Sequence, residues 1–406
     1  MKFRKFGERI PWEVSALGFG AMRMPATISM VTLKQKQAIE LLRHAFDQGI
    51  NYVDSGWMYH GGKSESAIGE ALQGGYREKV HVATKIPMIM VKKPEDYDKY
   101  LTTQIKRLQT DYLDIYHFHG LNRGLWKKVE EFGFIKKMEE AKESGIIKHV
   151  GFSFHDTLPV FKHIIDSYDG WDCCQIQYNY MDSGIQAGTE GLKYAHEKGL
   201  GVIIMEPVKG GTLAKPPKEA IEIFNGAKNK RTPVDWALQF LWDKPEISVV
   251  LSGMGNKQMV DENCASADKS GINSLSDDDK RVLNEVVGIY TERIKVPCTA
   301  CRYCMPCPSG VNIPQNFATL NNVSLQKSSK FSLNTWFYTL QIKRRYKKMA
   351  KTPEELKTNP DNGNASLCAK CKQCIEKCPQ SIQIPDELEK VDVVFGKGKK
   401  IDSVFV

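Results

Sequence analysis

The chain has 406 residues, 41% hydrophobic and 26% charged, which is the balance of a globular protein with room for two or three domains. Charge in Met1–Lys5 argues against a secretory signal, and no run approaches the roughly 18 apolar residues of a membrane helix, so the expected compartment is the cytoplasm. The whole net charge of +9 sits in residues 291–406, with 19 Lys and Arg against 10 Asp and Glu, which predicts two domains of different chemistry, 1–290 and 291–406.

Residues 2–16 read as a hairpin, with Phe3 and Lys5 facing Glu13 and Ser15 around a turn region at Gly7–Pro11. From residue 17 to about 267, short apolar or β-branched runs alternate with helix-period stretches. The runs are Leu17–Gly20, Tyr52–Ser55, Val80–Lys85, Leu113–His119, His149–Phe154, Cys173–Asn179, Gly201–Pro207 and Ser248–Gly253. Most are near-continuous in apolar residues, as strands buried on both faces must be. Between them lie helical segments such as Leu33–Gln48, Glu65–Gln73, Tyr97–Leu108 and Leu192–Lys198. Eight βα repeats in about 250 residues predict an α/β fold, the (β/α)8 TIM barrel. A doubly wound sheet is the alternative, but no G-x-G-x-x-G follows the first strand. Ser276–Thr291 reads as a further helix, capped by Ser276 with Asp277–Asp279 in its first turn. Another helix is expected around Leu333–Met349, between two cysteine-rich runs.

Catalytic side chains of such barrels come from the C-terminal ends of the strands. Asp54 ends the second strand, with Tyr59 five residues on; Lys85 ends the third and His119 the fourth. A tyrosine has an ordinary pKa of about 10, too high for easy proton exchange near neutral pH. An ammonium beside the phenol favours the phenolate, and an aspartate keeps that ammonium charged and oriented. A histidine then holds and polarises a carbonyl. The set suits hydride transfer to a carbonyl carbon with proton donation to its oxygen. Each residue alone has a plainer explanation, as a solvated strand end, a turn cap or a packing ring.

From Val14 to Asn263 the sequence resembles the aldo/keto reductase family, through "VSALGFGAMR", "NYVDSGWMYHGGKSESAIGEAL", "VATK", "DYLDIYHFH" and "GIIKHVGFS". The family's catalytic tetrad falls on Asp54, Tyr59, Lys85 and His119. The resemblance implies NAD(P)H as cofactor, with its nicotinamide near Ser153 and Gln175 and its chain close to Gly20, Ala21 and Met22. Met205 and Glu206 would lie at the nicotinamide end. Ser252, Gly253, Met254, Lys257, Glu262 and Asn263 would line the adenosine half. Three positions depart from the family pattern. Phe154 follows the serine of strand five where Asn is frequent, Met205 stands where an aromatic commonly stacks, and Gly255 or Met259 aligns with the expected cation for a 2′-phosphate. With Lys257 the nearest cation in that loop, the 2′-phosphate is expected to add little affinity, leaving NAD competitive with NADP.

Eight of the eleven cysteines fall in two groups, Cys298, Cys301, Cys304 and Cys307-Pro308, then Cys368, Cys371, Cys374 and Cys378-Pro379. The second has the bacterial ferredoxin spacing, and the first is shorter by one residue before its last Cys. In two-cluster ferredoxins the cysteine before proline ligates the other cluster. The expected ligand sets are therefore Cys298, Cys301, Cys304 and Cys378 for one [4Fe–4S] cluster, and Cys368, Cys371, Cys374 and Cys307 for the second. The tails "PSGVNIP" and "PQSIQIP" match the pseudo-repeat of a small ferredoxin-like α+β domain. A pair of four-cysteine zinc sites, the alternative, normally uses two knuckles divided by a spacer. Cys173, Cys174 and Cys264 are expected to be buried thiols.

The expected function is an NAD(P)H-dependent oxidoreductase acting on an aldehyde, ketone or sugar-like carbonyl, or on the alcohol in reverse. The alternative is an electron-transfer protein whose barrel is a platform. A cluster passes one electron and a nicotinamide takes two, so direct coupling calls for a flavin or for a redox partner such as a ferredoxin or flavodoxin. The basic run Lys343–Lys348 is either a solvated helix face or a dock for an acidic carrier. No nucleic-acid fold accompanies it, and neither nucleic acid nor membrane is an expected partner.

Overall fold

The computed structural model describes residues 1–26, 32–300, 302–325, 344, 346–358 and 362–405. Strands β1 (Phe3–Phe6) and β2 (Ile10–Ser15) form the expected hairpin, with Phe3 opposite Ser15 and Lys5 opposite Glu13. The eight expected runs then supply β3 (Leu17–Gly20), β4 (Tyr52–Asp54), β5 (His81–Ile86) and β6 (Leu113–Leu121). They continue with β7 (Ile147–Phe154), β8 (Cys173–Gln177), β9 (Gly201–Met205) and β10 (Ile247–Ser252). All pair in parallel and close a barrel in chain order, with β10 returning to β3. Helices between the strands cover the outside, so nearly every strand residue is buried. That two-sided burial is why the strands read as apolar runs and not as alternating patterns.

Two apolar layers hold the barrel. Phe6, Ile10, Val14, Tyr52, Ala83, Ile115, Ile203 and Val249 bring the hairpin against inward-facing strand residues. A larger layer lies between strands and helices, including Leu41, Leu42 and Ala45 of the helix Gln35–Asp47 and Tyr97, Leu101 and Leu108 of the helix Asp96–Leu108. The chain divides into two compact units, Met1–Pro207 with Val234–Leu275, and Val208–Pro233 with Ser276–Val406. The first contains all eight barrel strands.

In the second unit the helix Asp277–Arg293 starts at the expected Ser276, which exchanges hydrogen bonds with Asp279 in a capping box. Asp279 also receives Arg231 at 3.0 Å, and Tyr290 reaches the carbonyl of Thr212. Helices Ile313–Leu325 and Ile384–Phe395 pack together through Phe317, Leu320, Leu388 and Val391. Gly363 bridges Val311 and Ala350. The helix expected over Leu333–Met349 lies outside the described residues except at 344 and 346–349, and so does most of the basic run.

Candidate active site and cysteine cavities

Neighbouring strands bring the four candidate catalytic side chains to one end of the barrel. Asp54 is the last residue of β4, Lys85 lies near the end of β5 and His119 near the end of β6, while Tyr59 opens the single turn Tyr59–Gly62 that follows β4. Lys85 Nζ donates to Asp54 Oδ1 at 2.5 Å and to the carbonyl of Ser55 at 2.6 Å, and both charged side chains are almost fully buried. The same Nζ lies 5.4 Å from the centre of the Tyr59 ring. Tyr59 and His119 meet edge to face with centroids 5.9 Å apart. Gly56 makes that meeting possible: a Cβ there would sit 3.2 Å from Tyr59 Cζ and 3.4 Å from His119 Cε1.

Burial dominates the electrostatics. It pushes Asp54 up and Lys85 down, and each is pulled back toward its ordinary value by the other. It also drives His119 well below the usual histidine range, helped by the Lys85 charge and by His155, so the imidazole is neutral. The phenol of Tyr59 is raised, first by burial and then by the carboxylates of Asp54 and Glu206. A lowered phenol was the sequence expectation, and the difference has a physical cause. Lys85 is in contact with Asp54, so from the phenol the pair is close to a dipole, and desolvation outweighs it.

A support for this ion pair was not legible in the sequence. Glu65, completely buried, accepts from Thr84 Oγ1 at 2.7 Å and Gln104 Nε2 at 2.5 Å, and pairs with Arg107 at 3.1 Å. Gln104 also donates to the carbonyl of Lys85, and Tyr116 donates to Gln104. The motif containing Glu65 was visible. That its carboxylate sits beneath Lys85 depends on how the helix Lys63–Ala71 packs.

Of the candidate cofactor residues, Ser153 and Gln175 are paired across β7 and β8. Ser153 Oγ accepts from the amide of Gly120 at 2.7 Å and keeps its own proton to donate. Gln175 bears on Asp54, stabilising the carboxylate, while its Oε1 is buried with no hydrogen-bond partner among the described residues. That acceptor suits a carboxamide N–H, so the pair fits a nicotinamide. Ala21 is buried and Met22 half-buried in the turn Ala21–Arg23. A Cβ on Gly20 would lie 3.4 Å from the carbonyl of Ser252. Met205 is half-buried, and Glu206 has left-handed backbone with φ 58°. Asn263 donates to Ser252 Oγ at 3.0 Å, and Glu262, exposed, accepts from Gln258. Lys257 and Gly253 are exposed, whereas the Met254 side chain is in the barrel core. Arg23, which sequence reasoning passed over, lies against Gly253.

The cysteine runs fold into matching turns. Left-handed backbone occurs at Ala300 and Arg302, two and four residues after Cys298, and at Lys370 and Lys372, two and four after Cys368. In each run the amide two residues on donates to the first sulfur, from Ala300 to Cys298 at 3.4 Å and from Lys370 to Cys368. Cys307 lines one open cavity with Cys368, Cys371 and Cys374. Cys378 lines another with Cys298 and Cys304. Cys304 borders both, and Cys301 lies outside the described residues. Burial and the neighbouring sulfurs, Cys307 among them, push Cys374 up to about 11. Sulfurs whose thiolate forms would repel one another around a shared cavity fit a polynuclear cationic core, which offsets that charge. Among the described residues no group of three or more His, Cys, Asp or Glu converges on a single metal ion. Cys173, Cys174 and Cys264 are buried thiols, as expected.

Residues 16–279 match the family described as "Aldo/keto reductase family", and residues 297–382 match a 4Fe-4S dicluster domain. The chain is 29% identical over 301 residues to L-galactose dehydrogenase of Arabidopsis thaliana, covering 68% of this chain and 91% of that protein. It is 25% identical over 314 residues to a probable aldo-keto reductase of Glycine max, covering 68% and 87%. Among solved structures it resembles an aldo-keto reductase from Bacillus halodurans in its holo form, at 23% identity and a TM-score of 0.59 over 70% of this chain and 96% of that one. A Klebsiella pneumoniae aldo/keto reductase in complex with NADP and acetate gives 24% identity and a TM-score of 0.58 over 70% and 95%. At these identities the structural likeness speaks for the barrel fold alone.

Proposed function

The chain belongs to the aldo/keto reductase family, and from that premise we propose that it reduces a carbonyl with NAD(P)H, or oxidises the alcohol in reverse, using Tyr59 as acid and base. The observation that carries this reading is the buried Lys85–Asp54 pair held against the Tyr59 ring, with His119 at the ring's edge. Its raised pKa keeps the phenol protonated near neutral pH, ready to donate to a carbonyl oxygen as negative charge develops there. The neutral His119 offers an N–H to the same oxygen without competing for its proton. Lys85, fixed by Asp54 and the Ser55 carbonyl, offsets the charge left on the phenolate. Ser153 and Gln175 would hold the nicotinamide carboxamide. The bound cofactor supplies the hydride.

In residues 291–406, Cys298, Cys301, Cys304 and Cys378 would hold one [4Fe–4S] cluster, and Cys368, Cys371, Cys374 and Cys307 a second. The shared cavities and the family match to a dicluster domain support that reading. The exposure of Cys371 favours exchange of single electrons with a flavin- or cluster-bearing partner.

Tyr59→Phe tests the proposal, since it removes one oxygen and leaves the ring. Reduction of any accepted carbonyl, followed by nicotinamide oxidation, should fall about 10²–10⁴-fold. Nucleotide binding and cluster absorbance should not change. Full turnover in the variant would instead favour the electron-transfer reading, with the barrel as a platform.

A further inference from the structure

Alternate residues of β6 face opposite sides of the sheet, so Tyr116 and Phe118 pack under the helices while Ile115, His117 and His119 face the barrel interior. Ile115 belongs to the apolar layer beneath the site and His119 to the site itself. His117 lies between them, one step below the reacting groups, and the chemistry proposed above gives it no task. β5 and β6 pair Lys85 with His117, which sets the two side chains next to each other on the inward face. On its other flank His117 is paired with Gly151 of β7. A Cβ on Gly151 would lie 2.8 Å from His117 Nδ1 and 2.7 Å from Cys173 Sγ. The glycine leaves the room that the imidazole uses.

His117 is fully buried, and neither ring nitrogen has a hydrogen-bond partner among the described residues. The hydroxyl of Tyr52, in the layer below, is buried without a partner as well. A leucine would fill the place of His117 without two unanswered polar atoms, each of which costs stability. Lys85 has a donor to spare: an ammonium carries three N–H groups, and among the described residues Nζ donates to Asp54 and to the Ser55 carbonyl. One water can accept from that ammonium and donate to an imidazole nitrogen. The other titratable groups around the imidazole are Tyr52 and Asp54 on β4, His119 on β6 and Cys173 on β8, whereas β7, β9 and β10 contribute Gly151, Ile203 and Val249. Burial, Lys85 and His119 all keep His117 neutral, which leaves one of its nitrogens free to accept. Burial likewise keeps Cys173 a thiol.

We propose that the barrel interior holds an ordered water between Lys85 Nζ and the unprotonated nitrogen of His117, and that His117 is thereby a positioning residue for the lysine beside Tyr59. Asp54 and the Ser55 carbonyl hold the ammonium from one side, and His117 holds it from the neighbouring strand. With three acceptors the lysine stays charged and fixed while the phenol gives up and regains its proton. The role in turnover rests on the Tyr59 reading above; the water site itself does not.

The test uses the full-length, cluster-bearing protein purified anaerobically and melted under far-ultraviolet circular dichroism. His117→Leu should lower the melting temperature by about 2–4 °C, the effect of one lost hydrogen bond to a charged group in a domain of this size. In a Lys85→Met background the same substitution should cost nothing, because its partner is already gone. His117→Gln keeps an acceptor and should melt near wild type, which decides the matter if the leucine variant does not fold. A leucine variant at or above the wild-type melting temperature overturns the proposal, as does an equal loss in both backgrounds or a glutamine variant that loses as much as leucine. Turnover gives a second readout, with benzyl alcohol and NAD(P)⁺ as the probe. A less firmly held ammonium stabilises the phenolate less, so the rising limb of oxidation against pH should move to higher pH in His117→Leu and return in His117→Gln. A limb that stays in place overturns the positioning role. Failure of the wild type to oxidise the probe bears on the carbonyl reading and not on His117, which the melting cycle decides by itself.

Discussion

At Lys85 and Asp54 the chemistry and the stability of the barrel are tied together. The pair is buried at 1% and 3% exposure, and its 2.5 Å contact leaves neither charge otherwise compensated by a second full charge at that distance among the described residues. Lys85→Met should slow carbonyl reduction by removing the cation beside the phenolate. It should also cost about 3–5 kcal/mol of folding stability, the usual effect of stranding one partner of a buried pair. Adding Asp54→Asn should restore much of the stability and none of the activity. Denaturant melts of the single and double variants separate the two effects, and a Lys85→Met protein as stable as wild type would mean that Asp54 is protonated in the native state. The raised phenol carries a further consequence. Reduction needs the protonated form and should hold its rate through neutral pH, whereas alcohol oxidation, which needs the phenolate, should rise as pH rises.

At the scale of elements, β6 and the residue just after β7 contribute three histidines, His117, His119 and His155, that burial holds below their usual range, His155 at about 4. An unfolded histidine titrates near 6.5, so between about pH 6.5 and 4 the unfolded chain binds more protons than the native one. Stability should therefore fall as pH falls through that window. The lowered carboxylates Asp114, Asp172 and Asp279 act further down, their contribution being present above about pH 4 and lost below it. Melting temperature against pH should begin to drop near 6.5, and His155→Gln should flatten part of that decline. A curve level down to pH 4 would contradict the neutral-histidine assignment. Glu65 acts through its helix in a similar way. Glu65→Gln removes the charge opposite Arg107 and turns one of the two acceptor oxygens into a donor, and should cost about 1–3 kcal/mol.

For the whole molecule, the two cysteine cavities are lined by residues some 60–80 positions apart, so each proposed cluster joins both runs. Anaerobically purified protein should carry about eight iron and eight acid-labile sulfide per chain. Cys378→Ala should perturb the cluster held by Cys298 and Cys304, and Cys307→Ala the one held by Cys368, Cys371 and Cys374, each reducing iron toward about four. Stoichiometric zinc without sulfide would defeat both assignments.

The barrel was legible because burial on both faces writes an apolar run for each strand, and eight such runs spaced by helical periods admit few closures. The hairpin register and the Ser276 cap were legible for the same local reason, since their partners lie close along the chain. What lay beyond the sequence were effects that depend on through-space distance. The direction of the Tyr59 shift is a balance among burial, Asp54, Lys85 and Glu206, and residue types alone do not weigh it. The Glu65 support arises only when the helix Lys63–Ala71 packs beside β5 and the helix Asp96–Leu108, and the seat of Arg23 on Gly253 only when the barrel closes and sets β3 beside β10, some 230 residues later in the chain. Periodic burial is a property of short segments, whereas charge, desolvation and contact across the closed barrel belong to the folded chain as a whole.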